Sequence, residues 1–254
     1  MKKLLLFVAC IICYASYAQF KEDQFFVYDR DWQHTTLGKA IYFLRVRQTG
    51  EKNFLWTTYR MFGPRVSEEN FQDGEGNIPN GKCTYYDTKG YRDSTGEYAN
   101  GLKNGRWYFF DITHTRIKEY EKGVLIKDSL FRATKDSLSI FLKQPVKDEL
   151  ATQTVSESAF KGGLHGWGRF LNNNFIYPQR AINAGISGTV VLQFIVDETG
   201  KVTNPEIYKS VEYSLDEEAL RIINKSPDWM PASKDGKYVR SYKRQPIIYR
   251  MEID

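Results

Sequence analysis

GNIPNGKC, at positions 76–83, places glycines and a lysine where a phosphate would need them. The run fits the phosphate loop G-x-x-x-x-G-K-[ST] except at the last position, where Cys83 replaces the hydroxyl that would hold Mg²⁺. A working loop of this kind requires a buried apolar strand before its glycines and a helix after Lys82. The residues before it, SEENFQDGE, are polar, and those after it, CTYYDTKGY, are rich in strand formers and turn residues. Neither flank fits, and a nucleotide site is not expected.

The other reactive side chains form no constellation. His34, His114 and His165 are far apart in sequence and lack metal-ligand spacing. Cys83 has no histidine near it and reads as a half-buried packing residue. Glu68-Glu69 and Glu217-Glu218 are adjacent pairs, and neighbours on a helix point in different directions. The second pair also falls in the first turn of an expected helix, where negative charge is favourable in any case. The sequence therefore predicts no catalytic residue, no metal site and no cofactor, and the chain is not expected to be an enzyme.

An aromatic content of 15%, with 17 Tyr and 16 Phe, points to a globular chain that leans towards strand. Residues 1–18, MKKLLLFVACIICYASYA, have the charged start, short apolar run and small-x-small site of a secretory leader, with cleavage expected before Gln19. The apolar run is shorter than the roughly 20 residues of a spanning helix. Its removal would leave Cys83 as the single cysteine, so an intramolecular disulfide is not expected. It would also leave 34 basic against 31 acidic residues, too mild a balance to argue for nucleic acid. Membrane attachment is expected only if the leader is retained.

The lookalike loop has an echo. NGKCTYYD at 80–87 recurs as NGRWYFFD at 104–111, and an aromatic-x-x-Gly element recurs as FQDG, YANG and YEKG. Asn-Gly is suited to tight hairpin turns and the aromatics to a pleated, half-buried surface, so each unit reads as a short hairpin stacked on the next. These elements, over residues 71–125 with a degenerate copy at 42–60, resemble the MORN-like repeats of the YwqK-type family. That resemblance implies an interaction surface and no catalytic residues.

Residues 127–159 read as a linker, in which Leu130, Leu138, Phe141 and Leu142 could stripe a short helix ended by Pro145. Beyond it the pattern sharpens. TVVLQFIVDETGKV puts Val190, Leu192, Phe194 and Val196 on one strand face and turns at 197–200, with a returning strand over 202–211 that Pro205 marks as an edge or bulge. Ser214 and Glu217 have capping-box spacing ahead of Leu215, Ala219, Ile222 and Ile223 at helical spacing. Two short helices are expected upstream, with Pro178 at the start of the second, and a final strand downstream. The fold class is α+β, a small antiparallel sheet with a packed helix, preceded by a mainly β hairpin-repeat domain. Residues 19–126 and 160–254 are the two expected domains.

The second domain resembles the C-terminal domain of the TonB family. The resemblance rests on Gly162, Gly163 and Trp167, on FLNNNFIYP, on AINAGISGTVVLQFIVDETGKV, on LDEEALRII, and on the loop with Trp229, Pro231, Ala232, Asp235, Gly236 and Lys237. It implies a domain that takes a segment of an outer-membrane TonB-dependent receptor, or of another envelope protein, as an added strand on its sheet edge. The receptor-pairing strand falls on residues 245–253, with Gln245, Ile247, Ile248, Tyr249 and Arg250 as partner-binding positions. The family's Tyr-Pro motif falls on Tyr177 and Pro178, for which a binding role and a packing role both stand. A second copy of the chain is a further candidate partner. The family's energy transducers carry an uncleaved anchor and a Pro-rich spacer, and here a cleavable leader and repeats stand instead. A non-enzymatic periplasmic binding protein is the expectation, with an inner-membrane-anchored energy transducer as the alternative.

Overall fold

The computed structural model describes residues 22–111, 114–132 and 155–251. The leader region and most of the expected linker lie outside these residues. The first half is one antiparallel sheet of nine strands in sequence order. They are β1 (Gln24–Tyr28), β2 (Tyr42–Gly50), β3 (Asn53–Arg60), β4 (Arg65–Phe71), β5 (Pro79–Tyr86), β6 (Arg92–Ala99), β7 (Leu102–Phe110), β8 (His114–Glu121) and β9 (Val124–Arg132). The repeats therefore lie side by side in one sheet, and do not stack as separate hairpins. The displacement between the two Asn-Gly runs carries β5 onto β7, two strands along.

The Asn-Gly runs are not at turns. Gly81 and Gly105 have φ of 98° and 65°, but both lie inside strands, opposite Tyr98 and Tyr120. The register on β4 shifts across Gly81, and that on β6 shifts across Gly105, so each glycine supplies the positive φ of a β-bulge. The turns belong to the aromatic-x-x-Gly element. Asn100 and Gly101 (φ 49° and 81°) close β6 onto β7, and Lys122 and Gly123 (φ 48° and 83°) close β8 onto β9. Two consecutive positive φ values make these the primed turns that match strand twist. Bulge and turn are tied together: Gly101 N–H donates to the Pro79 carbonyl (2.8 Å) and Asn100 N–H to Asn80 Oδ1 (3.1 Å).

Leu130, expected on a helix, lies in β9 and is exposed, and residues 138–145 of that expected helix are outside the described residues. The second half has the expected element order. Helix α1 (Gly163–Asn174) and the single turn α2 (Gln179–Asn183) precede β11 (Gly188–Val196) and β12 (Val202–Lys209). Then follow α3 (Tyr213–Lys225) and β15 (Ser241–Tyr249). A side ladder pairs β13 (Ala232–Lys234) and β14 (Lys237–Val239), which begin in the stretch expected as a loop, with β10 (Val155–Ser156) from the end of the expected linker. The main sheet has the order β12-β11-β15. Val190, Leu192, Phe194 and Val196 are buried against Leu215, Ala219, Ile222 and Ile223 of α3, the two sets that strand and helix periodicity singled out. Pro205 sits at a register shift on β12, beside Asn204 with φ 51°.

The N-cap of α3 is Glu212, two residues before the expected Ser214. Its carboxylate accepts from Ser214 N (2.8 Å) and also from Arg180 Nε (2.6 Å). Arg180 leaves Glu212 paired although it is fully buried, which is why a glutamate can replace the usual short cap here.

The two halves dock through charge. Asp216 and Glu217 of α3, with Glu206 of β12, meet Arg65, Arg45, Arg92 and Lys82 of the nine-stranded sheet. Asp216 is the centre of this contact. Its carboxylate accepts from Ser210 Oγ (2.6 Å), Val211 N (3.1 Å) and Tyr59 OH (3.1 Å), while the Tyr59 hydroxyl in turn accepts from Arg65 Nε (2.9 Å). At Gly90 the backbones touch: Ser210 N–H donates to the Gly90 carbonyl at 2.9 Å. Gly90 has φ 82°, and a Cβ there would stand 2.1 Å from the Ser210 carbonyl oxygen, so only glycine fits.

Candidate functional site

Among the described residues, β15 has a strand neighbour on one side only, β11, in unbroken register from Gly188↔Tyr249 to Val196↔Ser241. The other end of this small sheet, β12, is engaged by the first half through a bridge between Tyr91 and Lys209. Among the described residues the outer side of β15 is thus the sheet's unpaired edge, a row of backbone donors and acceptors able to pair with another chain.

Alternation along β15 sorts the predicted partner-binding residues. Ile247 and Tyr249 are buried in the core, and the Tyr249 hydroxyl donates to the Leu215 carbonyl at 3.0 Å. Ile248 is 52% exposed on the opposite face and Arg250 is exposed just beyond the strand. Pro246 has no N–H to give to a ladder, and its nitrogen is tolerated where it faces the outer edge. Its carbonyl is met by the neighbouring Gln245 Nε2 (3.1 Å). Period two then assigns the outward N–H groups to Arg244 and Ile248, and those of Gln245, Ile247 and Tyr249 to β11. The strand starts four residues before the expected Gln245 and ends at Tyr249. Residues 252–254 lie outside the described residues.

Tyr177 and Pro178 lie at the far end of the same sheet. The Tyr177 hydroxyl donates to the Ile186 carbonyl (2.7 Å), and its ring meets those of Phe175 and Tyr249 at 6.3 and 5.7 Å. Pro178 is the N-cap of α2. The segment between α1 and α2 is clamped to α3 by Glu218, which accepts from Ile176 N (2.9 Å) and pairs with Arg221 at 2.6 Å. The Tyr-Pro pair thus braces the end of β15 through Tyr249.

The phosphate-loop lookalike has no cradle for an anion. Lys82 spends its charge on Glu206 across the docking contact, and a strand continues where a helix would have to begin. Cys83 is 1% exposed, more deeply buried than expected, and burial with the Glu69 charge pushes its thiol up to about 12. We expect alkylation by iodoacetamide at pH 8 to be at least 100-fold slower in the native protein than in the denatured one, since the thiolate is the nucleophile. Labelling at comparable rates would contradict that burial. Among the described residues no group of three His, Cys, Asp or Glu side chains could hold a metal ion. His34 packs against the ring of Tyr28 (4.6 Å).

What sequence reasoning missed is the docking contact and the cleft it creates. The cleft, of about 240 Å³, lies between β5, β6 and β7 of the first half and the outer face of β11, β12 and β15. Tyr242 and Arg244 form its wall on the β15 side. Lys82 and Glu206 sit 124 positions apart, and no local pattern links them. The only signal available was that both stand on strands at positions facing away from an apolar core.

Residues 173–251 match the family model described as Gram-negative bacterial TonB protein C-terminal, which supports a TonB C-terminal domain over that stretch. Comparison with curated proteins and with solved structures returned no match. Among the described residues no helix is long and apolar enough to cross a membrane.

Proposed function

We propose that the protein is a non-enzymatic binding protein of the Gram-negative cell envelope. It takes an extended segment of an outer-membrane or periplasmic partner as a strand added to β15. The observation that carries this reading is the single-sided pairing of β15 within the stretch that matches the TonB C-terminal model. Main-chain hydrogen bonds supply affinity in such a contact, so it tolerates varied partner side chains. The outward N–H groups of Arg244 and Ile248 donate, and Pro246 leaves one gap between them that limits uncontrolled pairing with other chains. The nine-stranded sheet supplies a second contact surface at β9, where Val124, Ile126 and Leu130 are 65%, 57% and 65% exposed. That strand is also where a second copy of the chain would pair.

Replacing Ile248 with proline tests the reading, because it deletes an outward donor while leaving the β11 ladder in place. Capture of envelope proteins by the full chain should fall at least ten-fold, with the far-ultraviolet circular dichroism unchanged. Undiminished capture would sink strand addition at β15.

A second reading, an inner-membrane-anchored energy transducer coupling proton-motive force to outer-membrane transport, is favoured by the family match itself. It differs in requiring residues 1–18 to stay attached. A mature protein that begins at Gln19 contradicts it.

A further inference from the structure

The cleft beside β15 is charged in one direction. Lys82, Arg92, Arg240 and Arg244 line it, against Glu206 as the one carboxylate in its wall among the described residues. Glu206 is already shared by Lys82 and Arg92. Among the described residues Arg244 reaches no carboxylate; it lies 3.4 Å over the centre of the Tyr208 ring and donates from Nε to Gln193 Oε1 at 3.2 Å. Burial lowers the pKa of its guanidinium and the nearby Arg92 charge lowers it further, against an upward pull from Tyr208.

Arg92 carries the decisive detail. Its side chain is only 7% exposed, and its Nε–H finds no acceptor among the described residues, although its Nη2 bonds Glu206 at 3.0 Å. A buried, charged donor without a partner is costly, and each one in a folded protein calls for an explanation. The space is also selective by size. At about 240 Å³ it falls below the roughly 300–1,000 Å³ of ordinary small-molecule pockets. It has room for a side chain or two and not for a dinucleotide.

The geometry points to this cleft as a carboxylate-recognition site that receives an acidic side chain of the peptide strand added to β15, through Arg92 and Arg244. The inference rests on the strand-addition reading for its placement. Side chains opposite Tyr242 and Arg244 on an added strand point to the same sheet face as those residues, and that face is the wall of the cleft. An aspartate or glutamate at that position would meet two guanidinium groups, both within about 6 Å of the centre of the Tyr208 ring, whose planar forks suit a carboxylate. The nine-stranded sheet then has a role in recognition, because it supplies Arg92 and Lys82 from β6 and β5.

Two probes separate this site from strand addition. The first is N-acetylglutamate against N-acetylglutamine, each with its α-carboxyl blocked as the N-methylamide so that only the side chain differs, titrated into the full chain while arginine Nε–Hε resonances are followed by NMR. The acid should shift the Arg92 and Arg244 signals at least ten-fold more tightly than the amide. Arg244→Gln should abolish the response, and Arg244→Lys, which keeps the charge, should retain part of it. Equal responses to acid and amide, or none, would overturn the site. The second probe is a peptide selected on the full chain from a random display library, compared with its Glu→Gln or Asp→Asn form. A ten-fold loss on that change, seen with the wild type and not with Arg244→Gln, supports the proposal. Binding that falls with Ile248→Pro but ignores the acidic residue overturns it and leaves strand addition standing. A glutamate response that persists while selected peptides ignore Ile248→Pro supports the cleft and removes strand addition.

Discussion

Asp216→Ala is expected to destabilise the protein by about 3–5 kcal/mol, the usual cost of removing one member of a buried charge pair. Asp216 is fully buried, and its loss strands three donors, on Ser210, Val211 and Tyr59, as well as weakening the hold on Arg65. Because these groups come from both halves, the consequence is separation as well as destabilisation. A single thermal transition in the wild type should become two in the variant, and proteolysis between the halves should accelerate. A variant that still melts in one step within about 2 °C of the wild type would contradict the docking role.

The same residue gives a pH dependence with a definite sign. Burial pushes the Asp216 carboxyl up to about 6, against the opposing pull of Arg65 and of its hydrogen-bond donors. In the unfolded chain it titrates near 3.9, so between about pH 4 and 6 the folded state holds a proton that the unfolded state releases. This contribution is complete below about pH 4 and is lost as pH rises through 6. Relative to Asp216→Asn, the wild type should gain about 1 kcal/mol of stability on acidification from pH 7 to 5. A loss over that interval would contradict the raised value.

Trp229→Ala should have a comparable effect in the core of the second half, about 3–5 kcal/mol and a fall in melting temperature of roughly 10 °C. Trp229 is 1% exposed and lies 5.4, 5.8 and 5.1 Å, ring to ring, from Phe160, Trp167 and Phe194. Its indole N–H donates to Ser226 Oγ at 3.1 Å, and its backbone N–H to the Gly200 carbonyl at 2.7 Å. Gly200 cannot be another residue, since a Cβ would stand 2.1 Å from the Trp229 carbonyl oxygen. The tryptophan ring therefore ties α1 to β11, and calorimetry of the variant reads the loss of these ring contacts and of the bond to Ser226, since alanine keeps the backbone bond to Gly200. A shift of less than about 3 °C would show that the pocket collapses around the gap.

The sequence made the second half readable wherever periodicity decides structure. Val190, Leu192, Phe194 and Val196 alternate, Leu215, Ala219, Ile222 and Ile223 recur at helical spacing, and both sets lie in one core. Where a residue's partner is distant, local pattern misleads. Ser214 has the spacing of a cap, yet Glu212 takes the role because Arg180 pairs with it. Asn-Gly suits a turn and a bulge equally, and the choice at Gly81 falls to pairing with β4 and β6. Glu217 and Glu218 read as favourable first-turn charge, but of the acidic residues around this helix start Glu212, Asp216 and Glu218 are buried, and arginines reach them. The candidate edge was legible through its resemblance to TonB domains. The cleft was not, since its two walls are more than 80 residues apart.

The central claim, that β15 accepts an added strand, is read most directly from amide hydrogen exchange of the full chain with and without a peptide selected on it. The N–H groups of Ile247 and Tyr249, bonded to β11, should be protected in both states. Those of Arg244 and Ile248 should exchange freely alone and slow by at least ten-fold in the complex. Slowing confined to β9, or none along β15, would contradict the claim.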